Sequence, residues 1–237
     1  MSVLTRHQSH QDNKPHHDIG ITFRTGDLVT GEGVEAAVDG AAAIVHCATS
    51  TKGDAEATRN LIRAASRAGA PHLVYVSIVG IDRLPSWGYP KAKLQAERAV
   101  EGSGLPWTIL RATQFYDYIL PPLRKSARLP VIPVPAGFEC QPVDSHEVAA
   151  RLVELTLAAP AGRVPDLAGP EVTNWAGLLA DYLRASGLRR PMIPVVIPGT
   201  RAIRAGGLLP PPGHSTGHLT WQQFLAASQD GSVRALT

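Results

Sequence analysis

The chain has 237 residues, 44% hydrophobic and 18% charged, with a formal net charge of +3 and a pI near 9.0. That composition supports one globular core, with no apolar run near the ~20 residues of a membrane span and no secretion signal in the polar, His-rich start. Basic residues are spread out, the nearest cluster being Arg184, Arg189 and Arg190, so no nucleic-acid footprint is expected; Cys47 and Cys140, the only cysteines, exclude a disulfide scaffold or a cysteine-pair zinc site and fit a reducing cytoplasm.

Short apolar runs alternate with alanine-rich stretches. Ile21–Phe23 reads as a strand, Val34–Val38 as a short helix, and Ala42–Cys47 as a buried strand. Ala57, Leu61, Ala64 and Ala68 recur at helical spacing from Asp54 to Ala68, and Gly69 sits where a left-handed cap belongs. His72–Ser77 is the next strand, a helix runs from about Pro90 to Gly102, and Trp107–Arg111 follows as a strand. Continuous apolar strands separated by helices predict an α/β fold with a doubly wound parallel sheet.

Beyond Arg111, prolines at 121, 122, 130, 133 and 135 are expected to interrupt any long element. Asp144 and Glu147 read as a capping box opening a helix through Val148, Leu152 and Leu155. A strand near Val164, a helix from Thr173 to Ser186, and a last helix capped by Thr220 and carrying Trp221, Phe224 and Leu225 complete the pattern. The Gly/Pro-rich segment 198–219 reads as an ordered lid or an exposed loop.

Ser77 ends a strand, and Tyr89 and Lys93 follow four residues apart. On a helix such a pair shares a face. An ammonium beside a phenol favours the phenolate, and a serine hydroxyl can hold the same substrate oxygen. The bland alternative is a surface tyrosine beside a solvated lysine, and Pro90 places Tyr89 at or before the first helical residue. Asp27, after Thr25-Gly26, either meets an adenine edge or closes a turn. His46-Cys47-Ala48-Thr49-Ser50 ends a parallel strand, where ligands bind in open α/β sheets. Cys47 is read there as core filling rather than as a nucleophile. The histidines at 7, 10, 16 and 17 read as part of a loop, and no metal site is expected.

In this order, Thr25-Gly26-Asp27-Leu28, Val45–Ala48, Leu73–Gly80, Tyr89–Leu94 and Trp107–Thr113, with Pro142-Val143-Asp144 and Leu167–Pro170, resemble the atypical short-chain dehydrogenase/reductase group and, within it, the NmrA-like NAD(P)H-binding proteins. The resemblance implies a Rossmann-like domain over 1–140 and a small C-terminal α/β subdomain over 141–237, interleaved with the first. Asp27 and Leu28 match positions bordering adenine. Cys47 and Ala48 match the wall along the adenosine ribose, and Lys93 the lysine holding the nicotinamide ribose. Ser77 and Tyr89 match the hydroxyl pair near the substrate, and Thr113, Gln114 and Phe115 the loop beside the nicotinamide. Residues 1–6 resemble the family's second strand, whose terminal arginine, here Arg6, grips the extra phosphate of NADP and disfavours NAD. The substrate pocket is expected from residues 114–120 and 198–219.

The glycine-rich turn that supplies pyrophosphate-binding N–H groups has no counterpart opening a helix in this sequence. In a doubly wound sheet the strand before it lies between the second and fourth strands, so its absence opens a gap of about 9–10 Å, at ~4.8 Å per strand. The strands are then expected to close up in a changed order, to dock poorly, or to belong to a longer protein lacking here roughly its first thirty residues. Three readings stay open. One is an NADP(H)-dependent reductase of a small carbonyl, enone or quinone. Another is a non-catalytic NmrA-like redox sensor, and the last is an interaction protein pairing through exposed strand edges. A small-molecule substrate is the expected partner, with neither nucleic acid nor membrane.

Overall fold

Strand and helix alternate much as the apolar pattern dictates. The computed structural model describes residues 1–6, 20–49, 53–84 and 88–229; the histidines at 7, 10, 16 and 17 lie outside them. The chain folds as two compact units. The first comprises Met1–Val76, Ser86–Ile109 and Glu154–Arg163, and the second Ser77–Pro85, Leu110–Val153 and Val164–Thr237.

In the first unit, β1 (Ser2–Thr5) and β2 (Thr22–Thr25) form a parallel pair of their own. Helix α1 (Val34–Val38) packs on β1 and on α2 (Asp54–Arg67), which follows β3 (Ala43–His46). β4 (His72–Ile78) and β5 (Trp107–Ala112) flank α3 (Gly88–Glu101) in sequence. β3 pairs with β4 in parallel register, Ala43 opposite His72 and His46 opposite Tyr75, and β5 lies on the other side of β4. Leu73 and Val74 are fully buried and Tyr75 nearly so, as a central parallel strand requires. On α2, Ala57, Leu61, Ala64 and Ala65 form the buried stripe, and their small size lets α3 pack closely through Ala96 and Val100.

The strands do not close up around the gap. β1–β2 and the sheet containing β3 remain separate, and no pairing covers the outer edge of either β1 or β3 among the described residues. Val45 on β3 is 43% exposed, and all four β2 residues are exposed.

α3 starts earlier than expected. Tyr89 lies within its first turn and Pro90 is its third residue. First-turn N–H groups have no intrahelical partner, so proline is tolerated there and Tyr89 and Lys93 do share the helix.

In the second unit, α4 (Tyr116–Ser126) contains Pro121 and Pro122, contrary to the expected interruption. Burial of Tyr116, Ile119, Leu120 and Leu123 offsets the lost helical hydrogen bonds. β6 (Ile132–Pro135) and β7 (Glu139–Cys140) precede α5 (Ser145–Leu157). β8 (Gly162–Arg163), which belongs to the first unit, pairs with β5 at Thr108 and Ile109. β9 (Leu167–Ala168) pairs with the end of β5, and β10 (Thr173–Asn174) pairs antiparallel with β7. α6 (Trp175–Ala185), β11 (Met192–Val195), β12 (Ser215–Thr216) and α7 (Trp221–Gln229) complete the unit, β11 pairing with β6 and β12 with β9. Tyr116, Trp221 and Phe224 pack at 5.2–5.5 Å between ring centres at its core, Trp221 and Phe224 stacked and Tyr116 tilted against both.

Within segment 198–219, Ile203–Gly207 forms a kinked turn in which Ala205 and Gly206 (φ 81°) leave helical geometry. The box expected at Asp144 and Glu147 forms on one side only. Asp144 accepts from the His146 N–H at 2.9 Å, while the Glu147 carboxylate takes the His218 and Leu219 N–H groups instead. A full box does form at α7, where the Thr220 N–H donates to Gln223 and the Gln223 N–H to the Thr220 hydroxyl.

Candidate functional site

A cleft of about 100 Å³ in the first unit lies where β1, the turn after β2, the end of β3 and the start of α2 converge. Leu4, Leu28, Val29, Ala48 and Ala57 give it apolar walls, and Arg6, Asp27, Thr49 and Asp54 its polar groups. Asp27 does close a turn, since its carboxylate accepts from the Val29 N–H at 2.7 Å, and it also lines the cleft. Asn60 on α2 fastens this turn by donating to the Leu28 and Val29 carbonyls, both at 2.9 Å. Gly26 is required because any Cβ there would collide with the Glu32 carbonyl.

Asp54, on the cleft wall, belongs to a buried charge cluster. Lys93 and Asp54 are 2% and 4% exposed, and Lys93 Nζ stands 3.9 Å from Asp54 Oδ2. The ammonium donates to the Val76 carbonyl at 3.1 Å and lies 4.6 Å above the centre of the Tyr75 ring. Burial pushes Lys93 below the ordinary lysine value, while Asp54, Cys47 and Glu97 pull it back. Asp54 sits in the first turn of α2, where the helix dipole favours a carboxylate.

His46 Nε2 lies 3.0 Å from the Thr58 hydroxyl, which donates onward to the Asp54 carbonyl at 2.7 Å. Thr58 must therefore accept from His46, which fixes the Nε2–H tautomer. Burial, reinforced by Lys93, lowers the imidazole to about 3, so His46 is neutral. Tyr75 Oη is buried with no hydrogen-bond partner among the described residues, and burial, then Asp54, Tyr89 and Glu97, push its phenol above the ordinary value. Thr49 Oγ1 stands 2.9 Å from Asp54 Oδ2 and 3.2 Å from Tyr89 Oη.

The structure thus brings Arg6, Asp27, Leu28 and Ala48 to one cleft, and Tyr89 and Lys93 to the cluster at its Asp54 wall. Cys47 is exposed; partial desolvation raises its thiol and Lys93 pulls the other way. The remaining expected site residues belong to the second unit. Ser77 is buried at the end of β4, immediately after the carbonyl that Lys93 binds. Thr113 is buried and donates to the Gln141 carbonyl at 2.7 Å. Gln114 and Phe115 run beside Val143, whose N–H donates to the Gln114 carbonyl at 2.9 Å. The pocket expected from 114–120 is corrected in part, because Tyr116, Ile119 and Leu120 fill that unit's core.

Asp54, Asn60 and Tyr75 were not among the expected site residues, and Thr49 was expected only as part of the ligand-binding strand end at 46–50. One signal was available: on α3 the buried stripe is Lys93, Ala96, Glu97 and Val100, and a charge at such positions demands a buried counter-charge. Glu97 finds Arg163 at 3.0 Å, and Lys93 finds Asp54.

The cleft's apolar walls, exposed guanidinium and turn carboxylate could hold the adenosine and phosphate end of a dinucleotide. A reductase of (4-alkanoyl-5-oxo-2,5-dihydrofuran-3-yl)methyl phosphate from Streptomyces griseus is 31% identical over 134 residues, 54% of this chain and 46% of its own. Quinone oxidoreductase 2 of Escherichia coli is 27% identical over 173 residues, 71% of this chain and 59% of its own. The chain spans about half the length of these curated relatives. In fold it is similar to an NADPH-dependent quinone oxidoreductase from Escherichia coli solved with NADPH (TM-score 0.78, 20% identity, covering 96% of this chain and 90% of that one). A nucleoside-diphosphate-sugar epimerase from Staphylococcus aureus is also similar (TM-score 0.75, 18% identity, covering 94% and 89%). Residues 1–156 match the NAD(P)H-binding family, and the chain belongs to it.

Proposed function

We propose that this chain reduces a small carbonyl, enone or quinone with NADPH. The observation that carries the reading is the buried Lys93–Asp54 pair linked through Thr49 to the Tyr89 hydroxyl, at the wall of a cleft carrying Arg6. The quinone oxidoreductase and reductase names of its relatives support the same class.

Arg6 would hold the phosphate that distinguishes NADP from NAD, with Asp27 and Leu28 beside the adenine and Lys93 toward the nicotinamide ribose. When bound, the nicotinamide supplies a hydride. Tyr89 then gives its hydroxyl proton to the substrate oxygen, so that hydride and proton together reduce the C=O group. Lys93 favours the phenolate left behind. Two unpaired cysteines suit a cytoplasmic setting.

Calorimetric titration with NADPH and NADH, then spectrophotometric NADPH oxidation with menadione, tests this. Micromolar, NADPH-selective binding is expected, and Tyr89→Phe is expected to lower turnover by about 10²–10⁴-fold with affinity retained. Selective binding without turnover of any quinone, enone or carbonyl would favour a redox-sensing role instead.

A further inference from the structure

We propose that Thr49 and Asp54 are positioning residues for Tyr89, forming a hydroxyl relay that orients its proton and holds its phenolate. This rests on Tyr89 being the proton donor of the proposed reduction. The Thr49 hydroxyl carries one proton and has two oxygen neighbours, Asp54 Oδ2 at 2.9 Å and Tyr89 Oη at 3.2 Å. A carboxylate is the stronger acceptor, so in the resting chain Thr49 donates to Asp54 and accepts from the Tyr89 phenol. Asp54 is well placed to anchor the relay, being 4% exposed, on the first turn of α2 and beside Lys93.

Loss of the Tyr89 proton to a substrate oxygen reverses the preference. The Tyr89 O–H bond breaks, the substrate O–H bond forms, and the electron pair stays on the phenolate. Thr49 keeps its own proton but turns it from Asp54 to Tyr89. Lys93, 3.9 Å from Asp54, still offsets its charge. Among the described residues, the groups facing this relay are Lys93 and Glu97 from α3, Tyr75 from β4, Cys47 and neutral His46 from the end of β3, and Asp54 from α2. Thr49 lies within hydrogen-bond distance of both Tyr89 and Asp54.

The test is an ultraviolet phenolate titration of the chain without cofactor, each protein measured against its own Tyr89→Phe partner so that only Tyr89 is read. Thr49→Val is expected to lower the Tyr89 ionisation constant by about tenfold, the equivalent of one lost hydrogen bond to an anion, and Thr49→Ser to restore it. Asp54→Asn is expected to raise that constant, because the neighbouring negative charge goes. With saturating NADPH and menadione, Thr49→Val should lower kcat by about tenfold or more, and Thr49→Ser should recover most of it. Equal Tyr89 titration in wild type, Thr49→Val and Asp54→Asn would overturn the relay, as would a Thr49→Ser protein that behaves like Thr49→Val. A wild-type chain that oxidises no NADPH would sink the reductase reading alone, since the titration needs no turnover.

Discussion

Removing the Asp54 carboxylate should strand the Lys93 ammonium in a site where it is 2% exposed. Two unit charges 3.9 Å apart attract by about 4 kcal/mol at an effective dielectric of ~20, which agrees with the ~3–5 kcal/mol lost when one partner of a buried pair is deleted. Lys93 has one escape, to shed its proton. From an unfolded-state value of ~10.4, that costs about 4.6 kcal/mol at pH 7 and about 1.9 kcal/mol at pH 9. Asp54→Ala is therefore expected to destabilise the chain by about 4 kcal/mol at pH 7 and about 2 kcal/mol at pH 9. At pH 7 the fall in melting temperature should be about 8–16 °C, at ~2–4 °C per kcal/mol. The sign follows from linkage. Burial already sets the folded lysine below its unfolded value, so between the two values the unfolded chain binds more protons and stability rises with pH. Lys93→Met should cost much less, because Asp54 keeps the helix N-terminus and the Thr49 hydroxyl, and the double variant should recover part of the Asp54→Ala loss. Thermal unfolding by circular dichroism at both pH values measures all four proteins. An Asp54→Ala deficit that does not shrink from pH 7 to pH 9, or one that Lys93→Met matches, would refute the reasoning.

Three further outcomes are expected. Arg111, 7% exposed, pairs through two hydrogen bonds of 2.7 and 2.8 Å with Asp82, so Asp82→Ala should cost about 1.5–3 kcal/mol in urea unfolding, although Asp82 itself is largely exposed. Thr220→Ala removes one arm of the α7 capping box and should cost about 1 kcal/mol, read as a lower urea midpoint. Iodoacetamide should label Cys47 in the folded chain and Cys140 only after unfolding, because Cys140 is buried and desolvation pushes its thiol up to about 12; mass spectrometry with and without denaturant separates the two.

Elements whose apolar spacing matched a strand or helix period were legible to within a residue or two. Val34–Val38 agrees at both ends, and Asp54–Ala68 differs from α2 by one residue. Legibility failed where tertiary burial outvoted a local rule. The two prolines of α4 argue against a helix until its packed face is counted, and the Glu147 carboxylate was drawn from its capping role by two N–H groups more than seventy residues away. The site divides along the same line. Tyr89 and Lys93 could be paired from their spacing, because a helix fixes which residues share a face. Thr49 and Asp54 could not be linked to them, since that contact needs the end of β3, the start of α2 and α3 to meet, and no single-strand or single-helix period encodes such a meeting.

Asp54 also ties the two halves of the candidate site together. Its carboxylate both lines the cleft and faces Lys93, so an anionic ligand entering the cleft meets a negative charge at its inner wall and the Arg6 cation at another. Lys93 offsets that inner charge while it remains protonated, and its burial already favours proton loss. Anion affinity in the cleft and the proton inventory around Tyr89 therefore draw on the same carboxylate. A ligand that brings negative charge close to Asp54 raises the cost of deprotonating Lys93, and a Lys93 kept charged favours the Tyr89 phenolate. Occupation of the cleft and readiness of the phenol to give up its proton are coupled through one side chain at the start of one helix. That linkage follows from the placement of Asp54.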